Sequence, residues 1–142
     1  MERHAERVSR LAALVVIAVL AGCGGGGGDD TPDALHDACR QGRTDLARIG
    51  PIETLAAAAP AVRRVLAVER ASLSAFREVP RGHRALALRF ARAIASARLF
   101  LASIESAYAQ QTMTPLRTSV PGARRVVAAA RELVGRLCAE AD

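Results

Sequence analysis

The sequence predicts an all-α protein, an up-down-up-down four-helix bundle. Of its 142 residues, 51% are hydrophobic and only 3% are aromatic, and the net charge is +6. From residue 31 onward the apolar side chains recur at steps of three and four, which is the spacing of one helix face, and no stretch alternates as a half-buried strand does. Four such segments with short connections favour antiparallel neighbours in one bundle.

The first 22 residues are predicted to be a cleaved signal helix that does not belong to the bundle. A polar start with three arginines precedes the uninterrupted apolar run at residues 11–21. This run is about half of the roughly 20 residues that span a bilayer. A basic start, a short apolar core and small residues at its end are typical of a secretory signal peptide.

The end of this segment carries the motif Leu20-Ala21-Gly22-Cys23. It resembles the lipobox of bacterial prolipoproteins at all four positions and at the right distance from the apolar run. The resemblance implies that the Cys23 thiol receives a diacylglycerol, that a signal peptidase removes residues 1–22, and that the new amine accepts an acyl chain such as palmitate. It also implies a lipid-anchored location on the extracytoplasmic side of the cell envelope.

Residues 23–30 are predicted to link the lipid to the folded domain. Five consecutive glycines, Gly24 to Gly28, precede two aspartates. A glycine run behaves as flexible coil, and its average reach from Cys23 to Thr31 is about 15 Å. In the lipoprotein family, glycine in place of aspartate after the cysteine permits transfer to the outer membrane of a diderm. In a monoderm the anchor lies in the outer leaflet of the plasma membrane.

Residues 31–142 are predicted to form the bundle domain. The first helix starts at Thr31, with Pro32 at the first helical position and an aspartate in the first turn. It ends at the Gly-Pro pair of residues 50–51. Gly42 is expected to weaken its middle by about 1 kcal/mol relative to alanine.

Three further helices are predicted. The second extends from about residue 52 to 79, and Pro60 is expected to divide it into a short turn region and a longer helix, because proline removes a backbone donor. The third covers about residues 83–110. Residues 111–121 contain two prolines and are expected to form a loop, so the last helix covers about 122–140. The closing segment also resembles the cysteine-ended final helix of small all-α lipoproteins from GC-rich bacteria, a likeness that implies no activity.

The predicted core is narrow because the apolar faces consist mostly of Ala, Leu and Val. The aromatic residues all map to these faces and are expected to pack in the core: Phe76, Phe90, Phe100 and Tyr108. So few aromatic side chains argue against a stacked sugar or nucleobase site.

Cys39 and Cys138 remain once Cys23 is assigned to the lipid. An exported protein lies in an oxidising compartment, where disulfides persist. In an up-down bundle the first and last helices are antiparallel neighbours, which brings these two cysteines to similar heights. We therefore predict a disulfide between them, with two buried free thiols as the alternative. A redox-active pair is disfavoured because no Cys-x-x-Cys spacing is present.

No catalytic, cofactor or metal site is predicted. His36 and Cys39 have ligand-like spacing and Cys138 is a third candidate, but no fourth ligand stands out. The serines lack a His-acid partner, and no Gly-x-Ser-x-Gly occurs. His83, at a helix start, is expected to be an exposed histidine.

Glu69 is the acid predicted on an apolar helix face, between Val65 and Leu73. A buried carboxylate needs a partner or has a raised pKa. Two interpretations remain open. Glu69 either lies at the rim and pairs with an arginine of a neighbouring helix, or it forms a ligand or proton site inside the bundle.

The basic charge comes entirely from arginine. On the third helix Arg84, Arg92 and Arg98 share the polar side with Leu88 and Leu99, which suggests contact with an anionic surface or a partner helix. A solvated face is the alternative. We expect a non-enzymatic interaction module that docks to a protein or to an anionic lipid or polymer of the envelope. The alternative is a small-ligand carrier or sensor with a cavity near the buried acid, and no nucleic-acid partner is expected of an exported protein.

Overall fold

The described residues of the computed structural model, 31–77, 82–110 and 113–142, form four helices and contain no strand. The helices are α1 (Thr31–Ala47), α2 (Leu55–Arg77), α3 (Arg84–Gln110) and α4 (Met113–Ala141). The predicted fold class, an all-α four-helix bundle, is confirmed. The predicted signal helix, the lipobox and the glycine linker lie outside the described residues.

The four helices form a bundle with a rhombic cross-section. Each helix packs against its neighbours in the chain, and α1 also packs against α4. α2 and α4 contact each other across the middle, whereas α1 and α3 share no contact within the described ranges. The two outer corners of the rhombus are therefore α1 and α3.

The connection between α1 and α2 is fixed by two arginines of α4. The Arg131 guanidinium donates to the carbonyls of Leu46 and Ile49, at 3.4 Å each. Arg124 Nε donates to the carbonyl of Ile52 at 2.7 Å. These charged donors hold the carbonyls of the last turn of α1 and of the segment that follows it.

Pro60 does not divide α2, so this part of the sequence prediction is wrong. The helix starts after Thr54, whose hydroxyl accepts a hydrogen bond from the amide of Ala57 at 3.3 Å, and continues through Pro60 to Arg77. Pro60 is the sixth residue of α2, in its second turn, and is exposed. The one backbone bond that it removes would end on the carbonyl of Ala56, another exposed residue, where water can replace the missing donor.

The expected loop at residues 111–121 is also wrong, because α4 already begins at Met113. Pro115 lies in the first turn, where backbone amides have no helical acceptor in any case. Pro121 is exposed, and the residues after it, Gly122 and Ala123, are buried against the bundle. Packing on this side therefore holds the helix through the proline.

Two buried glycines let neighbouring elements of the bundle approach closely. A methyl group at Gly42 would lie 3.2 Å from Val134 and 3.3 Å from Val68. Gly42 thus allows α1 to pack against α4 and α2 together, which offsets its low helix propensity. At Gly122 the ring of Phe100 comes even closer, within 2.5 Å of where a Cβ would be.

The aromatic residues divide into core and surface. Phe76 and Phe90 are buried, with ring centroids 5.8 Å apart, and Phe100 packs against the core. Tyr108 is 46% exposed, so its expected place in the core is wrong. It lies in the last turns of α3, where its hydroxyl can stay in water.

Cys39 and Cys138 form the predicted disulfide. Their Cα atoms are 5.0 Å apart, and the bond joins residues 99 positions apart in the chain. Both cysteines are buried. The bond ties α1 to the last turns of α4 and closes nearly the whole described domain into one loop.

We predict that Cys39→Ala/Cys138→Ala lowers the free energy of unfolding by about 2–5 kcal/mol, because it releases a long loop in the unfolded chain. Urea unfolding followed by circular dichroism measures the difference. Reduced wild-type protein is the control and should match the double variant. Equal stability of the oxidised and reduced wild-type protein would contradict this role.

Candidate functional site

The side of α3 that faces away from the bundle carries two exposed leucines. α3 buries Leu86, Phe90 and Ile104 against its neighbours, while Leu88 is 50% and Leu99 is 75% exposed. These two leucines are eleven residues apart, so they lie about 16 Å apart and almost in line along the helix. The α3 outer face is defined here as the exposed residues Arg84, Leu88, Arg92, Ala95 and Leu99, with Arg89 and Arg98 at its edges.

Four exposed arginines surround these leucines. At 100° per residue, Arg84 and Arg92 lie within about 50° of the leucine line, and Arg89 and Arg98 lie about 90° to either side. None of the four forms an ion pair within the described ranges. The sequence prediction named three of them and omitted Arg89, whose place at the opposite edge becomes clear once the buried face of α3 is known.

Arg98 also lines a surface groove between α2 and α3. The groove has a volume of about 540 Å³. Across it Arg63 donates to the Glu105 carboxylate at 2.7 Å. Its lining is Arg63, Leu66, Arg70, Arg98, Leu101, Ala102 and Glu105. The predicted trio is therefore not one cluster, because Arg84 and Arg98 are separated by about 21 Å along the helix.

The bundle is electrically asymmetric across its long diagonal. α1 carries three aspartates and two arginines, whereas α3 carries four arginines and one glutamate. That glutamate is already paired with Arg63. On α1, Asp37 and Asp45 are paired with Arg40 and Arg48. Because α1 and α3 occupy opposite corners, the excess positive charge of α3 faces away from α1, whose acids and arginines nearly balance.

Glu69 is buried in the centre of the bundle. Its side of α2 also buries Val62, Val65 and Ser72, and Glu69 itself is only 2% exposed. Its Oε2 has no hydrogen-bond partner within the described residues, and the Ser72 hydroxyl donates instead to the carbonyl of Val68 at 2.9 Å. Burial raises the pKa of the Glu69 carboxyl from 4.5 to about 7.

The interpretation of Glu69 as a rim residue paired with an arginine is therefore wrong. Glu69 is fully buried and not at the rim, and no arginine of the described ranges forms an ion pair with it. Glu69 lines neither the groove between α2 and α3 nor the wider one of about 770 Å³ between α1 and α2. A third groove, of about 270 Å³, lies beside the connection between α1 and α2, also away from Glu69.

Three further sequence candidates, Cys39, Cys138 and His83, have structural partners. Cys39 and Cys138 are bonded to each other, and the described ranges contain no group of three or more His, Cys, Asp or Glu that could hold a metal ion. We expected His83 to be exposed, but it is partly buried. Its Nδ1 pairs with the Glu140 carboxylate, and its ring lies 6.1 Å from that of Phe76. This contact joins the start of α3 to the end of α4.

Comparison of the chain with protein-family models, with curated proteins and with solved structures finds no match. Within the described ranges, no helix is both long enough and apolar enough to cross a membrane. Cys23 lies outside these ranges. The arginine-bearing α3 outer face and the buried Glu69 are thus the two sites that geometry alone singles out.

We predict that Glu69 makes the protein less stable as the pH rises. The carboxyl has a higher pKa in the folded chain, so its contribution is fully present below pH 4.5 and is lost as the pH rises to about 7. The loss is roughly 3 kcal/mol. Unfolding by urea at a series of pH values should show this slope in the wild type and not in Glu69→Gln.

The matched control is Glu132→Gln, which neutralises an exposed carboxylate on α4. This variant should keep the pH slope of the wild type. A slope that survives in Glu69→Gln would assign the pH dependence to other groups.

Proposed function

We propose that this chain is a lipid-anchored, extracytoplasmic interaction module of the cell envelope, without enzymatic activity. Its α3 outer face docks to an anionic component of that envelope. The observation that carries the proposal is the presence of two exposed leucines, Leu88 and Leu99, among four arginines that have no acidic partner in the described ranges. A face of this composition is suited to a surface that offers negative charge together with apolar contact.

The anchor is supported by the lipobox resemblance at Leu20-Ala21-Gly22-Cys23. Each buried methylene of a lipid chain contributes about 0.8 kcal/mol, so two or three chains anchor a protein stably where one does not. α1 begins at Thr31, eight residues after Cys23. Eight residues span at most about 28 Å when fully extended, which keeps the bundle close to the membrane.

A docking module is favoured over a small-ligand carrier near Glu69. The grooves of this bundle are open to the surface, and the carboxyl of Glu69 lines none of the three described above. The residues buried on the same side of α2, Val62 and Val65, are apolar, and the Ser72 hydroxyl is already bonded within the helix. A ligand in contact with Glu69 would have to displace them.

The anchor is tested by labelling cells with palmitate. Wild-type protein is expected to incorporate the label and to yield a mature chain that begins at Cys23 by mass spectrometry. Cys23→Ser should lose the label and keep residues 1–22. Cys39→Ala/Cys138→Ala is the control for loss of cysteine and should be labelled like the wild type. A wild-type chain without label would overturn the anchored part of the proposal.

The docking is tested by photo-crosslinking in the native envelope. A photoreactive residue in place of Ala95, between the two leucines, should crosslink to an envelope component. The same residue in place of Gln41, exposed on α1, should crosslink far less. High salt and Arg84→Ala/Arg92→Ala should both reduce the yield at position 95, because salt and neutralisation weaken contacts between charges. Equal yields at positions 95 and 41 would contradict docking through α3.

A further inference from the structure

We infer that the anionic component is the lipid headgroup layer of the membrane that holds the anchor, and that the bundle lies on its side with the α3 outer face against it. This inference rests on the proposed function, since the anchor brings bundle and membrane together. It adds the chemistry of the partner and the orientation of the domain.

The shape of the α3 outer face fits a lipid surface. α3 has 27 residues and is therefore about 40 Å long, with Leu88 and Leu99 on one line along it. Arg89 and Arg98 lie on the two edges of this line. In a helix that lies in the interface plane, apolar side chains enter the boundary between headgroups and acyl chains. The arginines at the edges of the helix extend their aliphatic stems along this boundary and keep their guanidinium groups among the phosphates.

The two leucines favour lipid over an anionic polymer. A polyanion in water offers charge to Arg84 and Arg92, but it offers no apolar phase to a leucine that is 75% exposed. A membrane surface offers both at once. A lipid surface can therefore contact both the leucines and the arginines of this face, whereas a polymer contacts only the arginines favourably.

The other helices are less suited to this surface. On α4, Arg124 and Arg131 are bound to backbone carbonyls of the α1–α2 connection, and Arg136 is paired with Glu132. On α2, Arg63 is held by Glu105. α3 is the helix whose arginines are all without an acidic partner in the described ranges, and the aspartates of α1 lie at the opposite corner, away from an anionic surface.

The length of the linker permits this orientation. α1 and α3 begin at the same end of the bundle, because Cys39 and His83 both contact the last turns of α4. Interaxial distances of 8–10 Å place the α1 axis about 16 Å beyond the α3 axis. With about 5 Å from the α3 axis to the surface, Thr31 lies roughly 21 Å from the membrane. The eight residues from Cys23 can extend to about 28 Å.

The test uses the lipidated mature protein reconstituted into vesicles. Ala95→Cys introduces a single reactive thiol on the α3 outer face, because Cys23 carries the lipid and the other two cysteines form the disulfide. An environment-sensitive fluorophore at this position is compared in vesicles of phosphatidylcholine with and without phosphatidylglycerol. We expect a blue shift in the anionic vesicles, its loss in high salt, and no shift for the same label on Gln41→Cys.

Charge and apolar variants separate the two parts of the contact. Each arginine near an anionic leaflet strengthens binding about fivefold, so Arg84→Ala/Arg92→Ala should lower the ratio of docked to undocked protein about 25-fold. Leu88→Ala/Leu99→Ala should also weaken docking on vesicles, yet leave binding to soluble polyphosphate unchanged. Arg43→Ala/Arg125→Ala removes the same charge from exposed positions on α1 and α4 and should dock like the wild type.

Several outcomes would overturn the inference. These are an equal shift in neutral vesicles, an equal loss in the Arg43→Ala/Arg125→Ala control, or a shift at position 41. A label at position 95 that responds to polyphosphate and not to anionic vesicles would identify a polymer as the partner. Failure of the anchor is seen separately, because unanchored protein leaves the vesicles in high salt whatever the label at position 95 reports.

Discussion

The structure depends on the bond between its first and last helices. α1 is the shortest of the four helices and, among the described residues, packs only against α2 and α4. It carries the glycine at position 42 that lets it approach both. The Cys39–Cys138 disulfide holds it there, near the point where the chain leaves toward the predicted lipid. The cross-link thus stabilises the helix that the proposed linker would join to the lipid, and the oxidising compartment implied by the lipobox resemblance is where such a bond persists.

The narrow core decides which surface is left for contact with other molecules. Because α2 and α4 meet across the middle, α1 and α3 become the outer corners. The disulfide and the close contact at Gly42 fix α1 against its neighbours. About half of the surface of α3 faces away from the bundle. Two arginines of α4 are used inside the fold, where Arg124 and Arg131 hold the α1–α2 connection, while Arg125 stays exposed. α3 differs from the other helices because it combines four arginines that form no ion pair within the described ranges with the exposed Leu88 and Leu99.

The helical periodicity was enough to predict the bundle. The disulfide was predicted from the cysteine positions together with the lipobox resemblance, which assigned Cys23 to the lipid and implied an oxidising compartment. The predictions for Pro60 and Pro121 were wrong because the cost of a proline inside a helix depends on its surroundings. A proline leaves one backbone carbonyl without a donor, and the cost is small where that carbonyl faces water. Which side of each helix is exposed is known only from the packing. For the same reason, the sequence does not distinguish an arginine that binds a backbone carbonyl from an arginine that faces solvent. Arg124 and Arg92 look alike in sequence, but one reaches a backbone carbonyl 72 residues away and the other faces solvent.

Glu69 and the disulfide have opposing effects of similar size. An ionised carboxylate at the centre of the bundle, with one oxygen lacking a partner in the described ranges, costs roughly 3 kcal/mol above pH 7. The cross-link contributes about 2–5 kcal/mol. A small domain with an alanine-rich core has a total stability of only about 5–15 kcal/mol, so at neutral pH the disulfide offsets most or all of what Glu69 removes. Reduction should therefore remove a similar free energy at both pH values but unfold a larger fraction of the protein at neutral pH, because the ionised carboxylate has already lowered the remaining stability there.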